Sequence, residues 1–188
     1  MEIDEQIARN HEKVLGRLLA LSDGIFAFAI TLLIINVALP EGITREALPQ
    51  ALIDLWPKYV AFSISFFVIG LYWIVHVRQF RTIVRYTSGL IWLNLVFLLF
   101  IVAIPFTTSV ISSFQETVTV SIYAANMSLA VYTAALIWIY ATHKHRLVNE
   151  RLGREQVRRG IILNLIAPVI FTLSIGIAYI NADAATYI

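Results

Sequence analysis

The chain has 188 residues, 14 of them Lys or Arg and 12 Asp or Glu, a net charge of +2, 59% hydrophobic residues and a mean hydropathy of +0.78. A soluble domain of this length carries far more charge, and the apolar residues fall in blocks as long as a bilayer is thick. The absence of cysteine excludes a disulfide scaffold, a thiol nucleophile and a thiolate metal site. What the pattern predicts is an all-α polytopic membrane protein, a single helical domain over 1–188. The start, MEIDEQIARNHEKVLGR, is acidic and mixed, without a basic leader running into an apolar core and cleavage site. The first span is therefore expected to stay in the protein.

Five spans follow, each reaching the roughly 17–25 residues that a crossing helix requires. The first covers 18–39 and is closed by Pro40, Glu41 and Gly42. The second covers 56–77 and ends before Arg78. The third, over 89–110, contains Pro105, which removes a helical hydrogen bond and predicts a kink. The fourth covers 118–142. The segment HKHRLVNERLGREQVRRG then forms a charged connector, predicted helical, whose basic residues suit anionic lipid heads. The fifth span, over 160–180, carries Asn164 and Pro168.

Basic residues orient these spans. Arg9, Lys13 and Arg17 precede the first; Arg78, Arg81 and Arg85 lie between the second and third. Lys144, Arg146, Arg151, Arg154, Arg158 and Arg159 lie between the fourth and fifth, leaving only Arg45 and Lys58 elsewhere. With the N-terminus cytoplasmic, all but those two fall on the inside, as the positive-inside rule requires. An even span count would return the C-terminus to the same side, so a sixth span is expected beyond residue 188.

The first span divides into faces. At about 100° per residue, Phe28, Leu32, Ile35 and Leu39 fall within roughly 60° of one another, a narrow stripe of large apolar side chains. Thr31 borders it, while Ser22 and Asp23 point elsewhere. Such a stripe either faces lipid or a neighbouring helix, or lines an axial path as a hydrophobic constriction that gates by dewetting. Periodicity does not separate the two. Asp23 is costly in a membrane and requires partners or water. Arg17 stands at neither i,i+3 nor i,i+4 spacing from it, so partners must come from other helices. Trp73, His76 and Asn94 lie at a similar cytoplasmic depth and can bond to it. Gly24, Ala27 and Ala29 permit close helix approach.

No carbonyl-filter loop, phosphate-binding loop, dinucleotide fingerprint, zinc-protease motif or nucleophile elbow is present. The basic residues are too few and too topological for nucleic-acid binding. No enzymatic chemistry, cofactor, metal site or organic substrate is expected.

The stretch RLLALSDGIFAFAITLL resembles the signature of the endolysosomal potassium channel family (the transmembrane protein 175 family), in its shorter bacterial branch. The likeness rests on Arg17, Leu21, Ser22, Asp23, Gly24 and 31–33, the last being Thr-Leu-Leu. YWIVHVRQF is similar to the family's second helix through Trp73, His76 and Phe80, and LNLVFLLFIVAIPFT to its third through Leu93, Asn94, Pro105 and Phe106. The resemblance implies a six-helix subunit forming a homotetramer in the bacterial inner membrane, around a central pore lined by the first helix. It implies passive, modestly potassium-over-sodium-selective permeation with no cofactor, only permeating K+, and no partners besides lipid and other copies. The constriction would be built from Phe28, Leu32 and Ile35, with Thr31 contributing to selectivity. Arg17, Ser22, Asp23, Trp73, His76 and Asn94 would form the network holding the first helix in place. The chain departs from the family pattern at Phe28, where Ile is usual, at Val77, where a second His is common, and at Leu21, where Phe is frequent. A secondary ion-coupled transporter and a non-conducting membrane scaffold are the competing functional classes. The first would need alternating access and commonly inverted repeats.

Overall fold

The computed structural model describes residues 2–114, 116–149, 152–153, 155–160 and 162. Helix α1 spans Glu2–Leu33, α2 Leu48–Asp54, α3 Trp56–Phe80, α4 Ser88–Ser113 and α5 Thr117–Thr142. All four long helices are long and apolar enough to cross a membrane. The chain is thus an all-α, multi-span membrane protein, and most of the expected fifth span, with Asn164 and Pro168, lies outside the described residues.

Local chemistry explains the helix ends. Pro49 and Pro57 stand in the first turns of α2 and α3, where a missing N–H costs nothing. Thr87 caps α4 by accepting the Leu90 N–H at 3.3 Å. Glu116 and Thr119 form a reciprocal capping box at the start of α5.

The first span differs from its sequence reading at both ends. Its helix runs back to Glu2, and His11, Val14, Leu15 and Leu18 carry the buried or part-buried face beyond the apolar block. The N-terminal extension is anchored where His11 Nδ1 accepts the Tyr86 N–H at 3.2 Å, with the two rings 4.8 Å apart. At the other end the α-helix stops at Leu33 and tightens into a 3-10 turn, Ile34–Asn36. Leu39 is therefore off the helix. Two β-branched residues followed by Leu39-Pro40 disfavour a further α turn, and Asn36 donates from Nδ2 to the Pro105 carbonyl at 3.3 Å.

Helix α5 packs most extensively on α4, aided by buried small residues such as Ala124, Ala130, Ala134 and Ala141. The fully buried core combines Phe26 and Leu33 of α1, Ile69 of α3, Phe97, Leu98, Ile101 and Ile104 of α4, and Met127 and Ile137 of α5. In the half nearer the start of α3, Ser65 joins Thr108 at 2.8 Å and Tyr123 at 3.2 Å, a hydroxyl cluster tying α3, α4 and α5. Helix α4 runs unbroken through Pro105.

The connector after α5 is not the continuous helix expected. It makes a 3-10 turn at His143–His145, with positive φ at Lys144 and His145, and then extends. Ile83 and Val148 form an isolated antiparallel bridge, with the Val84 N–H donating to Leu147 O at 2.8 Å and the Asn149 N–H to Thr82 O at 3.2 Å. Ile83, Leu147 and Val148 are buried in the main core. Two loops distant in sequence thus pair with each other, and among the described residues helix resumes at 155–160.

Candidate functional site

The two faces of α1 meet different surroundings. Leu15, Leu18, Ser22, Phe26, Ala29 and Leu33 are buried against the subunit. Their spacing of three or four residues makes one continuous stripe. Phe28 and Ile35 lie on the other side, 62% and 66% exposed, with Leu32 half-buried between them. Thr31 is exposed as well, its hydroxyl donating back to the Phe28 carbonyl at 2.9 Å. That internal bond leaves the oxygen's lone pairs directed outward. The apolar stripe is thus a surface that the isolated subunit leaves uncovered.

On the buried face the polar groups form a directed chain. His76 Nε2–H donates to Asn94 Oδ1 at 2.8 Å, Asn94 Nδ2 donates to Ser22 Oγ at 3.1 Å, and Ser22 Oγ–H donates to the Leu18 carbonyl at 2.8 Å. Asn94 can accept from His76 only if the imidazole carries its proton on Nε2. Nδ1 is then an acceptor, and it has no partner. The chain joins α3, α4 and α1 with every member buried. A bond in such surroundings is strong, and an orphaned member costly.

Aromatic rings enclose the imidazole. Phe80 stacks on it with centroids 4.3 Å apart, and Phe97 lies parallel at 5.6 Å and Phe26 tilted at 5.7 Å. Of these, Phe26 and Phe97 were not singled out in the sequence. The signal was available, since Phe26 is one turn beyond Ser22 on the same face and Phe97 three residues past Asn94.

Asp23 stands outside this chain. It accepts from Trp73 Nε1 at 2.8 Å, in a pairing on the exposed side of the α1–α3 contact. The expected network is therefore two separate connections: a buried one through Ser22, Asn94 and His76, and an exposed one through Asp23 and Trp73. Arg17 is exposed and joins neither. The one residue that separates Ser22 from Asp23 turns the side chain by about 100°, which puts the hydroxyl inward and the carboxylate at the rim. Among the described residues no group of three or more His, Asp or Glu side chains is placed to hold a metal ion.

Comparison with known proteins converges on one group. Residues 17–105 match the family described as Endosomal/lysosomal potassium channel TMEM175. A potassium channel of Streptomyces collinus is 33% identical over 172 residues, covering 89% of this chain and 84% of the relative. A potassium channel of Chamaesiphon minutus is 28% identical over 172 residues, covering 88% and 85%. The crystal structure of a lysosomal potassium-selective channel TMEM175 homolog from Chamaesiphon minutus superposes with a TM-score of 0.79, at 24% identity, over 93% of this chain and 91% of that one. This last likeness fixes the fold. The class of activity that goes with these relatives is membrane transport, not enzymatic catalysis. By its matched residues and its likeness to a relative over most of both lengths, the chain belongs to the TMEM175 family.

Proposed function

We infer that the protein is a passive, potassium-permeable cation channel whose constriction is built from the exposed stripe of α1. The observation that carries this reading is the division of α1 itself. Its inward face is fully used by the subunit, whereas Phe28, Leu32 and Ile35 present large apolar side chains to something outside it. Four copies arranged around an axis would turn each position into a ring. An apolar ring passes ions only when wide enough to stay wet, so its bulk sets conductance. Thr31, beside the middle ring, would offer hydroxyl oxygens to a partly dehydrated cation. Phe28 would add aromatic faces, which attract cations.

Family membership supports the ion, because the Streptomyces collinus and Chamaesiphon minutus relatives are potassium channels. The complete subunit would have six spans, with the N-terminus in the cytoplasm of a bacterial cell. The chain Ser22–Asn94–His76 and the Asp23–Trp73 pair would fix the angle of α1 about its own axis, and so decide which residues face the pore.

Flux through liposomes under a potassium gradient tests the assignment. The protein should give rapid, non-saturating potassium flux with sodium passing less well. Leu32→Ala and Ile35→Ala should each raise flux several-fold and weaken discrimination. Unchanged flux and selectivity in both variants would remove the stripe from the pathway, and saturable, coupled uptake would make the protein a transporter.

A further inference from the structure

Away from the exposed stripe, a cavity of about 700 Å³ opens between the cytoplasmic halves of α3 and α5. Its wall is graded along the helix axes. Leu71 of α3 and Val131 of α5 lie at the deep end; Arg78 and Trp138, seven residues further along each helix, lie near the inner surface. Seven residues of helix span about 10 Å. Arg159 joins Arg78 at the shallow end, brought there by the helical segment that includes 155–160. That segment packs tightly: Trp138 Nε1–H donates to the Val157 carbonyl at 3.1 Å, and a Cβ on Gly160 would meet the indole at 2.5 Å. No acidic side chain lines the cavity among the described residues, and neither arginine has an ion-pair partner there.

We propose that this cavity binds one anionic phospholipid from the inner leaflet. Its phosphate sits between Arg78 and Arg159, and the start of an acyl chain runs down to Leu71 and Val131. Two unpaired arginines attract the phosphate and make charge-assisted bonds to it. The apolar depth excludes a soluble anion as the natural occupant, because phosphate alone would leave that surface empty.

Native mass spectrometry of the full chain in detergent, titrated with phosphatidylglycerol or with phosphatidylcholine of the same acyl chains, tests the site. Phosphatidylglycerol should be retained preferentially. Arg78→Gln/Arg159→Gln should cut that retention roughly tenfold or more, at about 1 kcal/mol for each basic residue. Arg81→Gln/Arg85→Gln, which removes as much inside charge without touching the cavity, should leave it close to the parent. Equal retention of the two lipids, full retention in the Arg78/Arg159 variant, or an equal loss in the Arg81/Arg85 variant would overturn the proposal.

Discussion

The two faces of α1 invert what a soluble helix would teach. In water an exposed stripe of Phe, Leu and Ile would be an anomaly, and a buried Ser, Asn and His would be a cost. In a membrane the apolar face is at ease anywhere, so its exposure says only that the subunit does not need it. The polar face has nowhere else to be satisfied, and its partners must come from neighbouring helices. Specific structure is therefore concentrated on the polar side, at Ser22, Asn94 and His76, while the side free of internal obligations is available for an axis shared with other copies.

Changes to the buried face should have the largest effect on stability. Asn94→Leu leaves both the His76 Nε2–H and Ser22 Oγ without their partner, and should destabilise the subunit by about 2–3 kcal/mol. A fall in thermal midpoint in detergent would register it. An Asn94→Leu protein as stable as the parent would erase the distinction between the faces. The triple variant Ser22→Ala/His76→Phe/Asn94→Leu should recover most of the loss, because no orphan is left and a fourth phenyl ring fits among Phe26, Phe80 and Phe97. If it is no better than the single variant, packing and not polar satisfaction governs this site.

Pairwise coupling should be smaller. A double-mutant cycle on Ser22 and Asn94 should give about 0.6–1.7 kcal/mol, since polar groups in the membrane-unfolded state also find partners. Trp73→Phe removes the indole donor to Asp23 at an exposed contact, and should cost under about 1 kcal/mol in the same thermal assay. Ile35→Ala on the open face should change subunit stability by no more than about 0.5 kcal/mol. The flux expected of that variant would then appear with almost no effect on folding, which is the sharpest form of the contrast.

The sequence displayed much of this because membrane spans declare themselves in long apolar blocks, and three of the four described spans begin and end within a few residues of the hydropathy reading. The expected network was visible in part for a related reason: few polar residues occur at that depth, so His76 and Asn94 each point to a partner, whereas Ser22 entered it only through the family resemblance. Its division was not visible. Asp23 drew the eye as the charged member, yet the subunit buries Ser22 beside it. The inward stripe from Leu15 to Leu33 identifies Ser22, but only once the helix is followed back beyond the apolar block that marks the span. Arg17 had no such neighbour to place it. The pairing of Ile83 with Val148 could not be read either, because two short segments far apart in sequence carry no local period that announces their register.

One contact described with the fold bears on how α1 can move. Asn36 reaches the carbonyl of Pro105, and Ser22 is held by Asn94; both anchors stand on α4. They are 14 residues apart, one on α1 and one on the 3-10 turn that closes it, about 20 Å along the axis, and Phe28 and Leu32 lie between them. A helix pinned at two points to the same partner behaves like a door on two hinges mounted on one post. Twisting α1 about its own axis breaks both pins at once, whereas tilting α4 carries α1 along with both intact. A signal arriving anywhere on α4, including its contacts with α5, thus has a mechanical route to the stripe that leaves both of these hydrogen bonds intact.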